Sequence, residues 1–228
     1  MSVVLVEESS RELHINKMVE IELKGLGKRF SRDWIFKDLD LFLKHDQSWA
    51  VTGPNGSGKS TLLQVISGYA PPTHGKINYF DSNQNEINPA EFYQQISIAT
   101  PYLELVEEFT LKELLHFHFH FKKMKSGLKI TDLIHIMYLD KAIHKQIKYF
   151  SSGMKQRLKL GLAFFSTSSV LFLDEPTTNL DFKGIDWYQE NLEKVLNGRL
   201  VIICSNQPTE YEQCNHLIDI LNYKPAQG

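Results

Sequence analysis

The sequence predicts an α/β fold with a mostly parallel sheet, and three observations carry that reading. The glycine-rich stretch Gly53-Pro54-Asn55-Gly56-Ser57-Gly58-Lys59-Ser60-Thr61 follows the apolar run Trp49-Ala50-Val51 and precedes the helix-like Leu62-Leu63-Gln64-Val65-Ile66. Val170-Leu171-Phe172-Leu173 is an uninterrupted apolar run of strand length, the pattern of a strand covered on both faces. Leu200-Val201-Ile202-Ile203-Cys204 is another, with space for a helix between the two. Strands alternating with helices around a strand-to-helix loop build a sheet with helices on its faces.

Taken in order, residues 1–17 read as an N-terminal extension, with Met18 a candidate natural start, and residues 18–228 as one domain. Strands are expected over 19–23, 35–43 and 48–51. After the loop and its helix, Pro71-Pro72-Thr73-His74-Gly75 marks a turn, 76–80 a strand, 81–85 a turn and 96–99 a short buried strand. The middle then turns helical, over 110 to about 124 and 131 to 139. Thr110-x-x-Glu113 has the form of a capping box, and Ser126 or Thr131 could start the next helix. This helical stretch, about 103–160, reads as an insert.

Bulk properties narrow the class. The 228 residues carry a formal net charge of −2, with 25 basic and 27 acidic side chains mixed along the chain, so no basic block points to nucleic acid. The uncharged, largely apolar stretch 160–173 is shorter than the ~20 residues of a membrane span and is broken by Ser166-Thr167-Ser168-Ser169. No secretory signal is visible. Cys204 and Cys214 are the only cysteines, and without a signal both are expected as thiols.

The chemistry-bearing residues begin with the loop. Its G-x-x-x-x-G-K-S spacing is that of a P-loop. Glycines let successive N–H groups turn inward to hold phosphate oxygens, and the free N–H groups of the following helix face the same place. Lys59 would add a charge near the β- and γ-phosphates, and Ser60 would offer its hydroxyl to Mg²⁺. The run 170–173 delivers Asp174 and Glu175 at the end of its strand, the edge where ligands bind in such sheets. Asp174 is placed to hold Mg²⁺ and Glu175 to take a proton from an attacking water. Upstream, Ser151-Ser152-Gly153 opens a helix with small residues whose N–H groups could hold an anion. His116 and His120 could share a helical face, but no third metal ligand is near in sequence and the interleaved Phe117 and Phe119 suggest packing.

With these motifs in hand, the chain resembles the ATP-binding cassette (ABC) family, in particular the nucleotide-binding subunit of an ABC transporter, from about 19 to 220. Gly53–Thr61 matches its Walker A loop, Phe150-Ser151-Ser152-Gly153-Met154 sits at its signature, 170–175 matches Walker B with its glutamate, and Asn179-Leu180-Asp181 matches the D-loop. The resemblance implies a P-loop NTPase with a RecA-like core, an antiparallel β subdomain and an inserted helical subdomain. It implies ATPase activity with ATP and Mg²⁺, with Lys59, Glu175 and Asn206 as the catalytic set and Ser60 and Asp174 at the metal. It implies that the whole loop from Gly53 to Thr61 binds the nucleotide, together with Ser151, Ser152, Gly153 and Asp181, and that Phe30 stacks on adenine, with Trp34 a weaker candidate. The implied partners are an integral-membrane permease, on whose account the chain would lie on the inner membrane face, and a second cassette, in a homodimer or heterodimer with ATP between one Walker A and the other signature. The helical insert would contribute to the groove for the permease. The competing reading is a non-transport ABC ATPase acting as a regulatory or assembly module.

Three family positions depart. Pro101 and Tyr102 stand where the Q-loop glutamine is expected, and Gln94 and Gln95 lie on the wrong side of the strand 96–99. Asn206 replaces the switch histidine, and it can donate a hydrogen bond but cannot relay a proton. Ser152 and Met154 replace a glycine and a glutamine of the signature. With Lys59, Ser60, Asp174 and Glu175 all present, a working but slow ATPase is expected. Asn206→His should raise steady-state phosphate release, and a rate that stays level or falls would argue against a site slowed by that asparagine.

Overall fold

The structure, a computed structural model, describes residues 18–225; the expected extension over 1–17 lies outside the described residues. Two sheets share the work. β1 (Glu20–Phe30), β2 (Asp33–Leu43) and β4 (His74–Phe80) form an antiparallel sheet in the order β2-β1-β4. β3 (Ser48–Thr52), β5 (Ile96–Ala99), β6 (Val170–Asp174), β7 (Leu200–Cys204) and β8 (His216–Asp219) form a second sheet in the order β5-β6-β7-β3-β8, parallel at every pairing.

The apolar runs explain the layering. Side chains alternate across a strand, so a strand buried on both faces sends successive residues into different cores. In β6, Leu171 and Leu173 join one core, while Val170 and Phe172 join the other. In β7, Val201 and Ile203 divide from Leu200, Ile202 and Cys204 in the same way. One core takes the antiparallel sheet and the P-loop helix α1 (Lys59–Ile66). The other takes α2 (Leu111–Phe121), α3 (Ile130–Ile136), α4 (Ser152–Phe165) and α5 (Phe182–Leu196). Buried Arg199 pins α4 and α5 together, donating from Nε to Val195 O at 3.0 Å and from its terminal nitrogens to Phe164 O at 3.3 Å and Ser168 Oγ at 3.3 Å. The guanidinium thus meets carbonyls at helix C-termini, where a cation is favoured.

Differences from expectation have local causes. β1 continues through Gly25 and Gly27 because register shifts beyond Leu23 absorb the glycines. The capping box at Thr110 forms as read, with Glu113 N donating to Thr110 Oγ1 at 3.3 Å and Thr110 N donating to Glu113 at 2.8 Å. The next helix start is corrected: neither Ser126 nor Thr131 caps α3, whose cap is Lys129, with Asp132 accepting from its N–H at 2.8 Å. The same helix stops at Ile136, short of 139, because Tyr138 turns left-handed at φ 57° and Leu139 N–H closes back on Ile134 O. The four-residue β8 gives no alternating pattern in sequence and is recognisable only by its pairing with β3.

Candidate nucleotide site

Parallel register brings the motifs together. Val51 lies beside Cys204, and Cys204 lies beside Asp174, so the strands before the P-loop, before Asn206 and before Glu175 end side by side on one sheet edge. That is the edge where α/β folds place ligands.

The loop itself is shaped by its glycines. Gly53, Gly56 and Gly58 have φ values of 139°, 76° and 105°, which side-chain-bearing residues rarely adopt. A Cβ on Gly58 would also come within 2.3 Å of Ile35 Cγ2, so the loop is seated directly on β2. α1 begins at Lys59, earlier than the apolar pattern suggested, which puts Lys59, Ser60 and Thr61 in its first turn. Gly58 supplies no side-chain cap, leaving that turn's N–H groups facing the loop. Lys59 is buried; its Nζ donates to Gly53 O at 2.8 Å and Pro54 O at 3.2 Å, holding the ammonium inside the ring of backbone it would share with phosphate.

Asp174 is 2% exposed, and its Oδ1 has no hydrogen-bond partner. Burial pushes its carboxyl up to about 6, a hydrogen bond from Ser60 opposes this, Glu175 adds to it, and Lys59 opposes it. A buried carboxylate oxygen left without a donor, beside a serine hydroxyl and under a phosphate loop, is the donor set a hard cation such as Mg²⁺ takes. Glu175 follows at φ 43°, with its N–H donating to Cys204 O at 2.9 Å. Asn206 reaches the P-loop from the neighbouring strand, its Nδ2 donating to Asn55 Oδ1 at 2.9 Å.

The remaining predicted residues fall in two places. Ser151 Oγ caps α4 through Met154 N–H at 3.2 Å, and Ser152 and Gly153 form its first turn. A Cβ on Gly153 would come within 2.9 Å of Asn179 O, so the start of α4 rests on the turn that carries Asp181. Asp181 caps α5 by accepting from Gly184 N–H at 2.8 Å and pairs with Arg157 at 3.0 Å. Phe30 is 53% exposed at the tip of the β1–β2 hairpin, opposite Asp33 and on the same hairpin as Ile35, with Lys28 Nζ 5.1 Å from its ring centre; Trp34 is flanked by Arg29 and Lys37.

At the departures, Lys159 Nζ holds the segment after β5, donating to Thr100 O at 3.3 Å and Pro101 O at 2.9 Å, and leaves Tyr102 exposed. Gln95 accepts from Ser169 at the opposite end of β5 and β6. His116 and His120 are both exposed on α2, and among the described residues no group of three metal-ligating side chains gathers. Three contacts had no sequence signal: Gln156 to Pro176, Glu210 to Thr177 and Asn206 to Asn55. Each links residues far apart in sequence, and none belongs to a periodic pattern.

Fold and edge together define a P-loop protein whose phosphate loop shares its sheet edge with an acidic pair, buried Asp174 and part-exposed Glu175. The sequence model of the ABC transporter family matches residues 36–178, and the chain belongs to that family. It is 29% identical over 205 residues to Nod factor export ATP-binding protein I of Rhizobium johnstonii, covering 87% of this chain and 65% of that protein. It is 28% identical over 208 residues to the mouse phospholipid-transporting ATPase ABCA3, covering 88% of this chain and 12% of that protein. The chain therefore spans less than two thirds of these relatives. An ABC transporter ATP-binding protein from Pyrococcus furiosus superposes with a TM-score of 0.75 at 20% identity, over 90% of this chain and all of that one. A bacterial ABC transporter cassette solved as a dimer gives 0.73 at 20% identity, over 88% of this chain and 94% of that one. These likenesses show the fold.

The raised Asp174 makes a stability prediction for the nucleotide-free protein. A carboxyl whose folded value is about 6 against an ordinary 3.8 favours the fold below pH 4, and that contribution, on the order of 3 kcal/mol, is lost as pH rises through 6. Asp174→Asn should therefore stabilise the nucleotide-free chain in urea unfolding at pH 7.5 and much less at pH 4.5. An equal gain at both values would contradict this.

Proposed function

We propose that this chain is the ATP-binding and ATP-hydrolysing subunit of an ABC transporter, with residues 18–228 forming one cassette and about 103–160 its helical insert. The observation that carries the reading is the single sheet edge on which Gly53–Thr61, Asp174, Glu175 and Asn206 meet. ATP phosphates would lie on the loop's N–H groups and Lys59, with adenine toward Phe30. Ser60 and Asp174 would hold Mg²⁺, which supplies charge neutralisation at the phosphates. Glu175 would take the proton of a water whose oxygen attacks the γ-phosphorus as the bond to the bridging oxygen breaks, giving ADP and phosphate. Asn206 would donate a hydrogen bond at the γ-phosphate without relaying a proton, which supports slow turnover.

Ser151, Ser152, Gly153 and Asp181 would complete the site of a second cassette, identical or different. The permease would dock at an apolar groove of about 440 Å³ between the segment after β5 and α2. Its lining includes Val106, Phe117 and Phe121, respectively 40%, 49% and 72% exposed. Phe117 and Phe121 meet edge to face along it, at a centroid spacing of 5.2 Å. Contiguous exposed aromatics of this kind mark interaction surfaces. Among the described residues no helix is long and apolar enough to cross a membrane, so attachment to the inner face would run through that partner.

The altered positions Pro101, Tyr102 and Asn206 favour a second reading, a non-transport ABC ATPase used for regulation or assembly. Purification in detergent separates the two. A polytopic membrane protein that co-purifies supports transport, whereas soluble partners alone support the alternative. For the chemistry, Glu175→Gln should bind ATP with near-native affinity and lower phosphate release by about 10²-fold or more. Unchanged release would remove Glu175 from the role of base.

A further inference from the structure

We propose that Glu210 is a positioning residue for Glu175, locking the turn that follows it in the conformation hydrolysis requires. The proposal rests on Glu175 being the base, and it begins from a conformational cost. Glu175 and Asn179 both sit in the left-handed region, at φ 43° and 67°. A residue with a side chain persists there only where its surroundings over-determine it.

The two residues just after Glu175 are each gripped by a buried polar side chain from another element. Gln156, on α4 and 4% exposed, donates from Nε2 to Pro176 O at 2.7 Å. Glu210, fully buried, accepts at Oε1 from Thr177 N–H at 2.8 Å and from the Thr177 hydroxyl. One carboxylate oxygen thus fixes both the backbone and the side chain of Thr177. Glu210 is itself anchored, since its backbone carbonyl accepts from Tyr188 Oη on α5 at 2.7 Å and its N–H donates to Gln207 O at 3.0 Å. Its other oxygen, Oε2, is buried without a partner.

Burying a carboxylate with one oxygen unsatisfied is expensive, and an apolar residue would pack there at lower cost. What the carboxylate supplies is a double acceptor for Thr177 at the one turn whose dihedrals need holding. Glu210 also belongs to the loop after β7 that carries Asn206, and Asn206 touches Asn55 of the P-loop. The clamp therefore connects a group facing the nucleotide to the backbone carrying Glu175. A change at position 206 on nucleotide binding would be transmitted to the base through Glu210 and Thr177.

The test uses the full chain and three variants. Glu210→Ala removes both acceptor bonds. Glu210→Gln keeps an oxygen able to accept both, and Thr177→Val removes the hydroxyl donor alone. Two readouts apply: steady-state kinetics of phosphate release with Mg-ATP, and hydrogen exchange of the Thr177 amide without nucleotide. Glu210→Ala should lower kcat by about 10–100-fold with KM for ATP within about threefold. Thr177→Val should fall in the same direction by less, and Glu210→Gln should stay near wild type. The Thr177 amide should exchange about tenfold faster or more in Glu210→Ala and near the native rate in Glu210→Gln. Unchanged exchange in Glu210→Ala overturns the proposal, as does a Glu210→Gln variant as impaired as Glu210→Ala, because the carboxylate's charge and not its acceptor would then be at work. Should Glu210→Ala fail to fold, native exchange and turnover in Thr177→Val count against the clamp and slowed turnover with faster exchange counts for it. A wild-type chain without phosphate release would defeat the ATPase reading, and the exchange readout would still decide on the clamp.

Discussion

Parallel register is the constraint on which the site depends. A parallel pair fixes which strand ends lie side by side, and here Val51, Cys204 and Asp174 fall in one row. Everything chemical leaves the sheet within a few residues of that row: the phosphate loop from β3, the acidic pair from β6 and Asn206 from β7. A slip of one residue in β6 would exchange its two core faces and bury Glu175 in place of Asp174, so packing and chemistry are specified by the same hydrogen bonds. Leu171 and Leu173 on one face and Val170 and Phe172 on the other make such a slip costly.

Beyond the row, the backbone departs from ordinary conformations in two ways. Around the phosphates it uses glycine, at Gly53, Gly56 and Gly58, where positive φ carries little cost. Around the acids it cannot, because Glu175 must keep its side chain. Positive φ at Glu175 and Asn179 is instead offset by polar side chains brought from elsewhere, Gln156 from α4 and Glu210 from the loop after β7. The same turn touches the start of α4 through Gly153 and the cap of α5 through Asp181. Residues 175–181 are thus the junction where the sheet, α4 and the loop of Asn206 are joined.

This division explains what could be read without coordinates. Fully apolar β6 and β7, the glycine spacing of the P-loop and the capping box at Thr110 are local patterns, each with its physical cause within a few residues. The acids after Leu173 were legible because a buried strand must end somewhere and its end is polar. Glu210 was not legible, since Pro208-Thr209-Glu210-Tyr211 looks like any exposed polar turn, and only tertiary packing makes it fully buried. Lys129 as the cap of α3 escaped for a related reason: its role is backbone geometry and Asp132, not its own side chain. β8 is defined by its neighbour alone.

Nucleotide binding and turnover would draw on different parts of this architecture, and outside the Ser152–Met154 stretch, which would serve a second cassette, the departures from the family pattern fall on the groups proposed for turnover. Holding phosphate needs backbone N–H groups, one ammonium and one hydroxyl, all on a loop packed against β2 and α1. None of those groups is altered. Turnover, as proposed, would need Glu175 in register with whatever senses the γ-phosphate, and the groups proposed to do so lie in two loops: the segment at Pro101 and Tyr102, held by Lys159 from α4, and the loop of Asn206. Under the proposed function, asparagine in place of a histidine there would leave a donor and remove a proton relay, which would slow a chemical step without loosening the ground state. The Pro101 carbonyl is tied to Lys159 of α4, and under the proposed function this would link that segment mechanically to the helix that completes a second cassette's site. In such an arrangement binding would track the sheet edge, and the rate would track how firmly the turn at 175–181 is held.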